Sequence, residues 1–146
     1  MQIGDSPGSS RRLLLVVAAA MFDGAGRVLI TQRPNHKALG GLWEFPGGKV
    51  DAGESPEAAL IRELKEELEI TVEPDALDPF AFASHAYADF HLLMPLYAVT
   101  RWHGTPVPHV EAAQALAWVK PSALPQYPMP PADIVLVERI MQRERA

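Results

Sequence analysis

Apolar and polar positions along this chain follow two rhythms. LLLVVAAAMF at 13–22 runs ten residues without a polar break, DGAG at 23–26 carries turn residues, and RVLITQR then alternates. An unbroken apolar run closed by a turn predicts a fully buried strand, and the alternation predicts a second strand. They are expected at 13–22 and 27–33, joined hairpin-fashion by Asp23-Gly24-Ala25-Gly26. Arg11-Arg12 before the run also give it the look of a short signal-peptide core. Crossing a bilayer takes about 20 apolar residues, so the strand is the reading carried forward.

The rhythm changes at Ser55-Pro56-Glu57, where a hydroxyl cap, a proline at the first helical position and an acid in the first turn mark a helix start. That helix is expected to reach about Leu68, with Leu60, Ile61, Leu64 and Leu68 on its core side. FAFASHAYADFHLLMPLYAV then reads as strands, the second at 90–100, where Pro95 implies an edge or a bulge. ALAWVK at 115–120 is a further strand, and 132–144 a terminal helix with Ile134, Val135, Val137, Ile140 and Met141 inward. Residues 1–10 are polar and rich in Gly, Ser and Pro, and are expected to form a flexible leader. Strands and two helices in mixed order predict one α/β domain over 11–146, a sandwich on a mixed sheet.

Charge narrows the partners. A net charge of −5 disfavours duplex binding, which normally needs a basic face, so no nucleic-acid polymer is expected, and no membrane. The absence of cysteine removes disulfides, thiol catalysis and thiolate zinc sites, and suits a cytoplasmic protein. His36, His85, His91, His103 and His109 show no ligand spacing. The chemistry concentrates instead in GGKVDAGESPEAALIRELKEELEI at 47–70. On a helix, Glu63, Glu66 and Glu67 share a face by their three- and four-residue spacings, placed opposite the leucine stripe, with Arg62 four residues before Glu66. Two carboxylates held at 4 Å repel by about 4 kcal/mol at an effective dielectric of 20. A rigid cluster therefore calls for a cation, whereas a solvated face simply splays apart. Gly47-Gly48 bring bare backbone nearby, and oxygen-only ligation suits Mg²⁺ or Mn²⁺ rather than zinc.

Gly48, five residues, Glu54, seven residues, then Arg62-Glu63-Leu64-Lys65-Glu66-Glu67, closed by Ile70, resembles the Nudix box. One departure is Glu69, where the family places the glycine that ends the helix. ITQRP at 30–34, WEFPGGK at 43–49 and QYPMPPAD at 126–133 extend the resemblance to the MutT-type branch. The resemblance implies a Nudix α/β/α sandwich, monomeric or homodimeric. It implies Mg²⁺-dependent hydrolysis of nucleoside triphosphates to monophosphate and pyrophosphate, as in the sanitation of 8-oxo-dGTP, or alternatively of CTP-like pyrimidine nucleotides. It gives metal ligation to the Gly47 carbonyl, Glu63, Glu66 and Glu67, with Glu111 from a later loop. It also implies water activation at Glu63, orientation of the glutamates by Arg62, and phosphate contact at Lys49. Arg33 and Asp133 are the implied base-end contacts, with Asp133 standing where MutT proteins carry asparagine. An ionised aspartate only accepts hydrogen bonds, while asparagine also donates. Tyr87, Asp89 and Phe90 are expected to wall the base pocket. A non-catalytic nucleotide-binding module is the rival class, but such a module is free to lose box carboxylates, and all are present.

Overall fold

A computed structural model describes residues 11–108 and 115–145. Its middle layer is two sheets. The first runs in the order β4 (Gly47–Lys49), β1 (Arg12–Met21), β6 (Phe90–Val99), β5 (Asp78–Ala86); the second runs β3 (Trp43–Glu44), β2 (Val28–Gln32), β7 (Ala115–Val119). Among the described strands only β1 and β6 pair in parallel, so the first sheet is mixed and the second antiparallel. Val17, Ala19 and Met21 of β1, with Leu29 of β2, pack towards α1 (Pro56–Leu68), while Ala18, Ala20, Val28 and Ile30 pack towards α2 (Pro131–Arg145). Two helices flanking one β layer make the α/β/α sandwich. Burial on both faces is also why 17–22 shows no alternation, as parallel-paired strands covered on two sides do not.

Three expectations are corrected. The turn at 23–26 closes with the Asp23 amide donating to the Arg27 carbonyl at 2.9 Å, yet β1 and β2 share only the bridge Phe22↔Val28. Both edges of β1 are already taken by β4 and β6, so β2 departs to the second sheet. Pro95 lies in an interior strand. The pairs of β1 with β6 pass from Leu15↔Leu93 directly to Ala18↔Leu96, so the missing N–H falls in a gap of the ladder. The irregularity of β5 lies elsewhere, between Pro79 and Ala81. In α2 the buried stripe is Ala132, Leu136, Val137 and Ile140, whereas Ile134 and Val135 are exposed. The reason is the helix entry: the Ala132 amide donates to the Tyr87 hydroxyl at 3.4 Å and the Phe45 amide to Asp133 Oδ2 at 3.2 Å, which turns that side inward.

Helix α1 follows its sequence closely. Ser55 Oγ accepts from the Ala58 amide at 3.0 Å, and Leu60, Leu64 and Leu68 are wholly buried. Ile61 is only partly so. The helix closes on Glu69 at φ 59 and ψ 35, its amide donating to the Lys65 carbonyl at 3.1 Å. The left-handed end is thus kept without glycine, which costs a residue bearing Cβ about 1–2 kcal/mol. Glu69 is exposed, so replacing it disturbs no packing. Glu69→Gly is expected to raise stability by about 1 kcal/mol after the extra chain entropy of glycine is deducted. Urea unfolding checks this, and an unchanged or lower midpoint contradicts it.

Candidate active site

The site begins where β4 meets α1. A Cβ on Gly47 would strike the Val17 carbonyl oxygen, and one on Gly48 would sit 2.5 Å from the Glu63 carboxylate. The glycines therefore let the helix acids lie directly against bare backbone. Beside them the Arg62 guanidinium forms a hub. It grips Glu54 with two bonds, Nε at 2.7 Å and Nη2 at 2.9 Å. It also reaches Glu63 at 2.8 Å, the Lys49 carbonyl at 3.2 Å, and Glu66 and Asp51 at 3.4 Å. Glu54 is the strongest partner, and the fork holds its carboxyl down at about 2. Its other bond, from the Asp51 amide at 2.9 Å, braces the turn before α1.

The three box glutamates differ in environment, which corrects the expectation of one outward acidic face. Glu66 is exposed, Glu63 is half-buried and Glu67 is only 7 % exposed. Helical geometry explains it: seven residues make almost two turns, so Glu67 lies about 20° from Leu60 around the axis. Burial pushes Glu67 up to about 8, helped by the charges of Glu44 and Glu63 and opposed by the Gly47 amide and Arg33. Burial raises Glu63 as well, against the pull of Arg62.

From β4 a cavity of 190 Å³ extends to the start of α2. Val16, Ala18 and Met94 make its apolar floor, Gly47, Gly48 and Lys49 one end, and Arg33, Glu44, Phe45 and Asp133 the other. Arg33 pairs with Glu44 at 3.2 Å and donates from Nε to the Ala38 carbonyl at 2.8 Å. Burial raises Glu44 despite that pairing. Asp133 is 6 % exposed, and burial, followed by the Glu44 charge, raises it to about 7. Tyr87 stacks on Phe90 at 5.1 Å and tethers α2 at Ala132, adjoining Asp133 without lining the cavity. Asp89 is exposed in the turn between β5 and β6, away from the cavity. Glu111 lies outside the described residues. Glu44 is the residue that sequence reasoning passed over; its signal was a lone acid between Trp43 and Phe45 in a glycine-bounded apolar stretch.

Among the described residues no three acidic or histidine side chains are gathered around a common cation position. Arg62 draws Glu63 and Glu66 to itself, while Glu67 stays beneath the Gly47 backbone. The donor chemistry nonetheless fits a hard divalent ion. Glu63 lies against a cradle that a Cβ on Gly48 would fill, and Glu67 is a buried carboxylate raised by acidic neighbours.

The NUDIX domain family model matches residues 17–139. The CTP pyrophosphohydrolase of Escherichia coli K12 is 42 % identical over 130 residues, covering 88 % of this chain and 92 % of that protein. The 8-oxo-dGTP diphosphatase of Haemophilus influenzae is 34 % identical over 132 residues, covering 90 % and 93 %. The solution structure of the E. coli ORF135 protein superposes with a TM-score of 0.79 at 38 % identity, covering 94 % of each chain. Domain match, relatives and fold agree with a box whose glycine cradle closes one end of the cavity with the Glu63 carboxylate and its Arg62 partner against it: the chain belongs to the Nudix hydrolase family, in its MutT-type branch.

Proposed function

We propose that this enzyme hydrolyses nucleoside triphosphates to monophosphate and pyrophosphate, with sanitation of 8-oxo-dGTP as the primary reading. The observation that carries it is one cavity with the Gly47–Gly48 backbone and Lys49 at one end, the Glu63 carboxylate lying against Gly48, and a recessed hydrogen-bonding edge at the other. A triphosphate laid along it directs its phosphates to α1 and its base to Phe45 and Asp133. Glu63, Glu66, Glu67 and the Gly47 carbonyl, with Glu111, would hold Mg²⁺ or Mn²⁺. When bound, the cation offsets the charge of the phosphate chain and of the attacked phosphorus.

The protein's own groups supply the rest. Glu63 aligns the attacking water and takes its proton, burial having raised its affinity for one. The water oxygen bonds to phosphorus as the anhydride P–O bond breaks, releasing pyrophosphate and monophosphate. Arg62 positions Glu63, itself fixed by the fork to Glu54. Lys49 at the rim meets the phosphates, and Arg33 orients Glu44 at the base end. A cytoplasmic location is the reading that the cysteine-free composition suits.

Pyrimidine nucleotides are the second reading, and Asp133 favours it. Ionised, Asp133 accepts hydrogen bonds only, which matches the exocyclic amine of cytosine; protonated, it both donates and accepts, as asparagine does. With its value near 7, both forms exist around neutrality. The catalytic-efficiency ratio of 8-oxo-dGTP to CTP is expected to fall from pH 6 to pH 8 in the wild type and to stay flat in Asp133→Asn. Equal slopes would remove Asp133 as the base reader. The sign in stability is fixed too. A value raised from 3.8 to about 7 stabilises the fold below pH 3.8, and that contribution is lost as pH rises to 7. Urea unfolding of the two proteins should therefore diverge over that window, with Asp133→Asn gaining as pH rises.

A panel of triphosphates with product identification tests the reaction itself. Monophosphate with pyrophosphate supports it, and diphosphate with phosphate contradicts it. In that assay Glu66→Gln is expected to lose at least about a hundredfold in pyrophosphate release, and near-normal release would refute the ligand set. Gly48→Ala should displace the flexible Glu63 carboxylate, lowering kcat by about a hundredfold while costing little stability. A normal kcat there would show that Glu63 tolerates a different seat.

A further inference from the structure

The proline inside β6 deprives one main-chain acceptor of β1 of its sheet partner. The Leu15 carbonyl accepts from the Val50 amide at 3.1 Å, and the Ala19 amide donates to the Pro46 carbonyl at 2.9 Å, so Leu15, Val17 and Ala19 turn their peptide groups to β4. Val16 and Ala18 therefore turn theirs to β6. On β6 the Tyr87 amide donates to the Phe90 carbonyl at 2.9 Å, which directs Phe90, Leu92 and Met94 to β5 and Pro95 to β1. The parallel register Leu14↔Leu92 and Ala18↔Leu96 sets the Val16 carbonyl opposite the nitrogen of Pro95. Proline has no hydrogen there. The two pairings that the ladder skips, Val16 with Met94 and Val17 with Pro95, are the two that this one bond would complete. The prolyl ring offers only C–H, a much weaker donor, and no loop amide among the described residues takes its place.

That carbonyl belongs to the floor of the cavity. Val16 and Met94, on either side of a skipped pairing, both line it together with Ala18, and Val16 is half-buried. The carbonyl faces β6, away from Gly47, Gly48 and Lys49 on β4, so the part of a nucleotide that meets it is the nucleoside and not the phosphates. We propose that the Val16 carbonyl is a substrate-binding acceptor opened by Pro95, a role that rests on the cavity being the nucleotide site. It takes a hydrogen bond from one donor of the nucleoside, a sugar hydroxyl or the exocyclic amine of the base. The floor around it, Ala18, Met94 and the Val16 side chain, is apolar, so a nucleoside lying there displaces water from the carbonyl. A substrate with a matching donor supplies the bond that the ladder lacks. One without it leaves a buried acceptor unpaired, which is the stronger source of discrimination. No side-chain truncation removes a main-chain acceptor; it is closed by returning an N–H to position 95.

Pro95→Ala returns that N–H, and Pro95→Val does so with a stronger strand former. Both are compared with the wild type on the triphosphate that the enzyme turns over best, on its 2′,3′-dideoxy analogue and on its analogue lacking the exocyclic amine. Pyrophosphate release gives the rate, and amide hydrogen exchange gives a readout independent of turnover. The wild type is expected to lose at least about tenfold in catalytic efficiency on one of the two analogues, and the analogue affected identifies the donor. On that analogue the variants should lose less than about twofold relative to their own rate on the parent triphosphate. The new amide at position 95 should exchange slowly in the substrate-free variants, as a ladder N–H does. Equal penalties in wild type and variants overturn the proposal, and so does a wild type indifferent to both analogues. An amide at position 95 that exchanges freely in both variants overturns the assignment of the carbonyl. All these failures leave monophosphate and pyrophosphate as the products, whereas different products from the wild type refute the triphosphate reaction and this role with it.

Discussion

One guanidinium organises the acidic end of this enzyme. Arg62 joins the turn before α1, through Glu54 and Asp51, to the helix acids Glu63 and Glu66 and to the backbone of β4 at Lys49. Without a fixed cation there, the carboxylates crowded at one helix face would separate, since each pair repels at short range. With it, their backbone frame is set before substrate arrives, and the fork to Glu54 makes that frame planar and directional. The glycines complete the arrangement by removing the side chains that would hold α1 away from β4.

The second constraint is the pairing of β1 with β6. Both strands carry apolar residues on both faces, so the sheet divides the interior into two cores, one under each helix. One core seats the leucine stripe of α1 and so fixes the height of Glu63 and Glu67 above β4. The other seats α2 and so fixes Asp133 against the Phe45 amide. The two ends of the cavity are set by different cores meeting on a shared sheet, which is how residues as distant in sequence as Arg33 and Asp133 line one space.

Much of this was legible in the chain because the signals are local. The cap at Ser55, the proline after it, the leucine spacing and the box motif each depend on neighbours within a few turns, and each appears as expected. What could not be read depends on partners far away. Nothing near Asp23 says that both edges of β1 are occupied, so the turn looked like a hairpin. The buried stripe of α2 is rotated because Tyr87 and Phe45 hold its first residues, and neither is adjacent in sequence. Glu67 appeared to face outward with its neighbours until its angle to Leu60 was set against a real packing surface. Glu44 stayed hidden because its role depends on lying between Arg33, Glu67 and Asp133, a relation that no spacing encodes.

Glu67 and Asp133 both keep acids where the fold would be more comfortable with apolar side chains, and both are raised by that burial. Laboratory evolution for heat resistance alone would replace them early, since an uncharged isostere relieves desolvation at no packing cost. Under the proposed reading, survivors that lost Glu67 would be sturdier but impaired in turnover, and those that lost Asp133 would differ in base preference. A screen for heat resistance on that reading must select for activity at the same time.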